Sequence, residues 1–178
     1  MKRILVALAV AVLAAALWVM FLIPSREIRD IESIFADMLG GEGGIATLKA
    51  PDRVEAHRVK FDFATGYDPH NYKVTSVAVP VSHEVVTGIV DALFRLKSYV
   101  GEGKKMCSPN YGVRLTFHRE NDRVEVFLCF ECDILLVVRN GSITGGENFD
   151  EIHDDLLRVV KALFPNDREI QDFKRPWE

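Results

Sequence analysis

The spacing of apolar positions along this chain changes several times, and each change marks an element. Residues 4–23, "ILVALAVAVLAAALWVMFLI", carry no charge at all. At about 1.5 Å per residue such a helix reaches roughly 30 Å, the thickness of a bilayer's hydrocarbon core. Lys2 and Arg3 precede it, so the positive-inside tendency predicts a single-pass anchor over residues 1–24 with everything beyond it outside the cytoplasm. The alternative is a signal peptide cut at an A-x-A-like site within Ala14, Ala15 and Ala16, which would secrete the remainder. Cleavage there would leave the strongly apolar start "LWVMFLI", and the unbroken length favours the anchor.

From residue 25 the period becomes helical. Ser25 is a good N-cap, and Ile28, Ile31, Ile34, Phe35, Met38 and Leu39 form one stripe that Gly40 and Gly41 close. The "GGEGG" over 40–44 reads as a helix stop and flexible linker. A phosphate loop would follow a strand and open a helix instead. "RVEAHRVKFDF" alternates with Val54 and Ala56 on one phase and Val59, Phe61 and Phe63 on the other, which predicts a strand with a bulge near His57 and Arg58. "TGYDPHNY" reads as a turn-rich loop, and "KVTSVAV" as a second strand stopped by Pro80. Ser82 then caps a helix running to Gly101, with Val85, Val86, Ile89, Val90, Leu93, Phe94 and Leu96 facing inward.

The second half is strand-rich. "YGVRLTF" and "RVEVFLCF" flank the polar turn "HREND", and setting Phe117 against Val124 and Val113 against Leu128 gives one apolar face. "DILLVV" follows, then Asn140-Gly141, a tight-turn signal. Asn140-Gly141-Ser142 is also a glycosylation sequon, but the turn accounts for it. "ENFDEIHDDLLRVVKALFP" closes the domain as a helix with an Asn148/Glu151 capping box, a stripe through Phe149, Ile152, Leu156, Leu157, Val160 and Leu163, and a stop at Pro165. The order predicts an α+β fold: one domain over residues 25–178, an antiparallel β-sheet covered by helices on one face, preceded by the N-terminal membrane helix.

Composition narrows the function. With 178 residues and 48% hydrophobic content the chain builds a core without staples. Setting Lys2 and Arg3 aside leaves 20 basic against 26 acidic side chains, a formal charge of −6. That excludes the basic face nucleic-acid binding needs, and no basic run beside the anchor suits anionic headgroups. The membrane, through residues 4–23, is the one partner indicated.

Chemistry centres on three cysteines. In the hairpin register, continued as regular strand, Cys107 and Cys132 fall as diagonal neighbours on the apolar face while Cys129 of "CFEC" points away. A Cys107–Cys132 disulfide with one leftover thiol suits an oxidising compartment. Buried thiols, a metal site at Cys107, Cys129 and Cys132, and redox exchange stay open. A thioredoxin-type C-x-x-C opens a helix, and here strand lies on both sides. Structural zinc needs four ligands; His118 falls in the hairpin turn, far from Cys129, and nothing places His57, His83 or His153 nearby. Tyr67, Asp68, His70 and Tyr72 gather in one loop, where binding residues often reside, yet they are also ordinary turn formers. Glu147, Asp150, Glu151, Asp154 and Asp155 read as a solvated helix start rather than a cation site. No catalytic constellation and no cofactor motif stands out.

Cys107, Pro109, Gly112 and Arg114, followed by Cys129, Phe130 and Cys132, resemble the C-x-P, G-x-R-[LF] and C-F-x-C pattern of a group of bacterial exported proteins. The resemblance covers residues 104–165. It implies that the three cysteines act as one metal or disulfide unit, and it implies no activity. The sequence thus predicts an exported, membrane-anchored, non-catalytic binding or structural module, with a cysteine-based metal or redox protein as the alternative.

Overall fold

The computed structural model describes residues 35–61, 72–95 and 105–174. The predicted anchor, most of the first predicted helix, the loop bearing Tyr67, Asp68 and His70, and residues 96–101 lie outside them; the middle helix, expected to run to Gly101, already ends at Leu93 with Phe94 as its cap. Residues 35–39 are helical, followed by α1 (Glu42–Lys49), β1 (Arg53–Lys60), β2 (Lys73–Val74), β3 (Val79–Pro80) and α2 (His83–Leu93). Then come β4 (Val113–Arg119), β5 (Asp122–Cys129), β6 (Ile134–Arg139), β7 (Ser142–Asn148), a 3-10 turn (Asp150–Ile152), α3 (His153–Leu163) and α4 (Arg168–Gln171). The seven strands form one antiparallel sheet in the order β2-β1-β4-β5-β6-β7, with β3 beside β2 on the same edge of β1. The fold is therefore α+β, as its pattern of elements requires.

The hairpin register is the one the alternation dictates: Val113 pairs with Leu128, Leu115 with Val126 and Phe117 with Val124. Val54 and Ala56 extend this face onto β1, and Leu135 and Val137 extend it onto β6. All are buried, together with Leu48 of α1, Ile89 and Leu93 of α2, and Leu156 and Val160 of α3. Tight turns set the register. The β4–β5 link is only Glu120-Asn121, with the left-handed φ on Glu120, so His118 lies in the strand rather than in a turn. Asn140 and Gly141 both adopt positive φ, the primed geometry that matches strand twist.

Several elements depart from the pattern. Gly40 and Gly41 end a helix at φ 74° and 98°, but α1 begins at once where a linker is predicted. Close packing explains the glycines, since a Cβ at Gly44 would overlap the Leu39 carbonyl oxygen. β1 carries no bulge and pairs without a break from Arg53 to Arg58. Its apparent phase slip marks burial on both faces, because Val59 and Phe61 pack on the side opposite Val54 and Ala56. The predicted strand over 73–79 is instead two short strands, β2 and β3, and Pro80 is the last residue of β3, as an edge position allows. The closing helix starts through the 3-10 turn with Phe149 at its cap and no side-chain cap hydrogen bond, so no capping box opens it. Asn148 instead ends β7 opposite Ile134.

Candidate functional site

The "CFEC" stretch is not continuous strand. Cys129 ends β5, residues 130–133 form a turn with Asp133 at φ 51°, and β6 begins at Ile134. The turn overrides the strict alternation assumed for a regular strand. Cys129 and Cys132 both enter the second apolar cluster, with Val59, Tyr72, Tyr111, Phe127 and Val138, on the sheet face away from the main core. Cys107 is bonded to Cys132 with their α-carbons 6.1 Å apart, within the range a disulfide spans. The bridge therefore lies against the second face and not, as the extended register predicts, against the core face.

This bridge is one of several ties on residues 105–112. The Lys105 ammonium donates to the Cys132 carbonyl at 2.6 Å and to Asp150 Oδ1 at 2.7 Å. The Asn110 N–H donates to Cys129 Sγ at 3.3 Å, and the Tyr72 hydroxyl donates to the Pro109 carbonyl at 3.4 Å. Cys129 is a free, fully buried thiol. Burial pushes its pKa up, while the N–H groups of Asn110, Cys132 and Glu131 pull it back down. Burial, helped by Tyr72 and Cys129, likewise raises the Tyr111 pKa, so its hydroxyl stays protonated at neutral pH.

Beyond the Val59 N–H to Gly112 carbonyl bond, β1 and the 105–112 segment part, and a cleft of about 570 Å³ lies between them. Val59, Phe61 and Tyr111 give it an apolar, aromatic side, while Lys60, Thr75, Ser108 and Asn110 give it a polar one. Arg58 closes one end. Its Nε donates to Asp167 Oδ2 at 2.7 Å, its Nη2 to Glu169 Oε2 at 2.8 Å, and its Nη1 to the Gly112 carbonyl. All three sides of the guanidinium are engaged, which is how a cation only 7% exposed is tolerated. Asp167 is fixed in turn as the N-cap of α4, accepting from the Ile170 N–H. A second, more apolar recess of about 410 Å³ adjoins the cleft across Ser108, Pro109 and Tyr111 and reaches Cys107, Leu136 and Ile143.

The predicted site residues separate. The cysteines converge, but the histidines do not join them in a ligand set. His83 starts α2 at the surface, and His118 Nε2 lies 3.5 Å from Glu55. His57 is on the second face beside Arg114, its pKa lowered chiefly by burial. His153 is fully buried with its Nδ1 2.5 Å from Asp133. Asp150 pairs with Lys105 and Asp155 with Arg95. Among the described residues no group of three His, Cys, Asp or Glu side chains is placed to hold a metal. Sequence reasoning missed Arg58, Lys60, Tyr111, Asp167 and Glu169. Only Arg58 left a signal there, as a charge at the phase change of β1.

The fold and cleft define a disulfide-bridged α+β domain with an open binding-sized groove. No protein-family model, curated protein or solved structure matches the chain. No helix among the described residues is long and apolar enough to cross a membrane, and residues 4–23 lie outside them.

Proposed function

We propose that the chain is a membrane-anchored binding module facing away from the cytoplasm, without catalytic activity, whose ligand enters the cleft walled by residues 108–112. The observation that carries this reading is the cleft itself. Its volume falls in the range of small-molecule sites, and it combines an aromatic side with a few polar groups, the usual lining of such sites. A disulfide at Cys107, next to the Ser108 wall of the cleft, suits an oxidising compartment. The uncharged run over residues 4–23 supplies the tether. Cys129 is buried, protonated at neutral pH and outside the lining of the cleft, so ligand binding there involves no thiol. The fluorescent probe anilinonaphthalene sulfonate should bind the folded wild type and lose affinity at least tenfold in Asn110→Trp, which fills the cleft and keeps its backbone N–H. Equal binding by both proteins would remove the cleft as the site.

The alternative of a cysteine-based site keeps one supporting observation, the closeness of Cys129 to the bridge within one cluster. Its metal form needs sulfurs freed by reduction, and stoichiometric zinc in the protein as isolated would favour it over the binding module.

A further inference from the structure

We infer that the disulfide can migrate from Cys107–Cys132 to Cys129–Cys132, unmasking Cys107 as a surface thiol for a thiol-reactive partner and releasing the wall of the cleft. Three observations carry the inference. Cys129 ends β5 and Cys132 is the third residue of the turn that follows, near enough for the Cys132 N–H to reach Cys129 Sγ, and both side chains pack in one cluster. Cys132 is thus within reach of two alternative sulfurs. The Asn110 N–H donates to Cys129 Sγ at 3.3 Å, and with the N–H groups of Cys132 and Glu131 it offsets part of the penalty that burial places on a thiolate there. Cys107 itself is exposed, so it is the sulfur best placed to leave with negative charge into water.

The step balances without an external oxidant or reductant. Cys129 gives its proton to water and the thiolate attacks Cys132 Sγ. The Cys129–Cys132 bond forms as the Cys107–Cys132 bond breaks, and the departing electron pair stays on Cys107, which takes a proton from water. One disulfide and one thiol exist before and after.

The structural consequence falls on residues 105–112. Losing the covalent tie at Cys107 leaves that segment held by the Lys105, Asn110 and Tyr72 hydrogen bonds. Ser108, Pro109 and Asn110 line the cleft, so migration loosens its wall. This last consequence rests on the reading of the cleft as the binding site; the exchange itself does not.

Alkylation with N-ethylmaleimide after acid quench and denaturation, followed by peptide mapping, reads the position of the single thiol. Protein held at pH 6 should be labelled at Cys129. Incubation at pH 8.5 should move label to Cys107 with total thiol unchanged, at a rate rising about tenfold per pH unit as the thiolate fraction grows. Near-ultraviolet circular dichroism should remain native throughout. Cys129→Ser should show no label at either pH. Label that stays on Cys129 at pH 8.5, or that reaches Cys107 only as native dichroism is lost, overturns the inference, as does Cys107 labelling in Cys129→Ser. If that variant fails to fold, the wild-type map decides alone. Probe binding to the cleft is measured separately, so failure of one reading leaves the other testable.

Discussion

Arg58 carries a charge into a buried position, and its partners come from elements far away in sequence. Removing one member of a buried ion pair strands the others, at about 3 to 5 kcal/mol when all are buried. Glu169 is 66% exposed, so Arg58→Ala should cost less, about 2 to 4 kcal/mol in urea denaturation. Glu169→Ala should cost under about 1 kcal/mol, as a surface pair does. Asp122 has a comparable joining role: it accepts from Arg139 at 2.8 Å and from Asn140 at 2.6 Å, and it meets Thr47 of α1 at 2.9 Å. The Arg139 hydrogen bond is the main cause holding its pKa near 2, against a usual 3.8. A carboxylate with a lowered folded pKa contributes stability that is present above about pH 4 and lost as pH falls toward 2. Asp122→Asn should therefore flatten the acid limb of a stability–pH curve between those values, and an unchanged limb would rule out this carboxylate as its source.

α2 shows how an element is held by its stripe. Val86, Ile89, Ala92 and Leu93 are buried, and Ser82 accepts from the Val85 N–H at its start. Leu93→Ala should cost about 2 to 5 kcal/mol, the range for a buried leucine, whereas Thr87→Ala on the exposed side should cost little. Equal small losses would mean that the helix does not close the core. Such elements were legible because one periodicity decided them: Val113 to Phe117 and Val124 to Leu128 alternate cleanly, and a slip by one residue would invert both faces. β1 was misread because a strand buried on both sides, on different parts of its length, imitates a bulge. "GGEGG" was misread because small residues serve close approach as well as freedom, and Gly44 meets Leu39 only in the folded chain. The cleft was illegible for a further reason. Its walls come from β1, the segment after β2, residues 108–112 and the cap of α4, and no local pattern links them.

At the scale of the whole molecule the bridge between Cys107 and Cys132 closes a loop at a sequence separation of 25 residues. Chain entropy alone assigns about 3.5 kcal/mol to such a closure, so Cys107→Ala should lower stability by roughly that amount without reductant and by far less with it. Thiol counting on denatured wild type should give one thiol without reductant and three with it. The tether is tested by intact mass of the membrane fraction: a mature chain beginning at Leu17 would replace the anchor with a cleaved signal.

The strand order also prescribes a sequence of events in time. β4, β5, β6 and β7 follow one another through short turns, so each pairing needs only a small loop to close. β1 meets β4 only after β2, β3 and α2 have intervened. Low-separation pairings form early and distant ones late. The four-stranded meander is therefore the expected nucleus, with β1 expected to dock onto it afterwards. A conservative Val126→Ala in the meander should slow refolding, while Ala56→Gly in β1 should mainly speed unfolding. The cleft, bounded by β1 on one side and by the segment leading into β4 on the other, is then expected to be the last part of the domain to form.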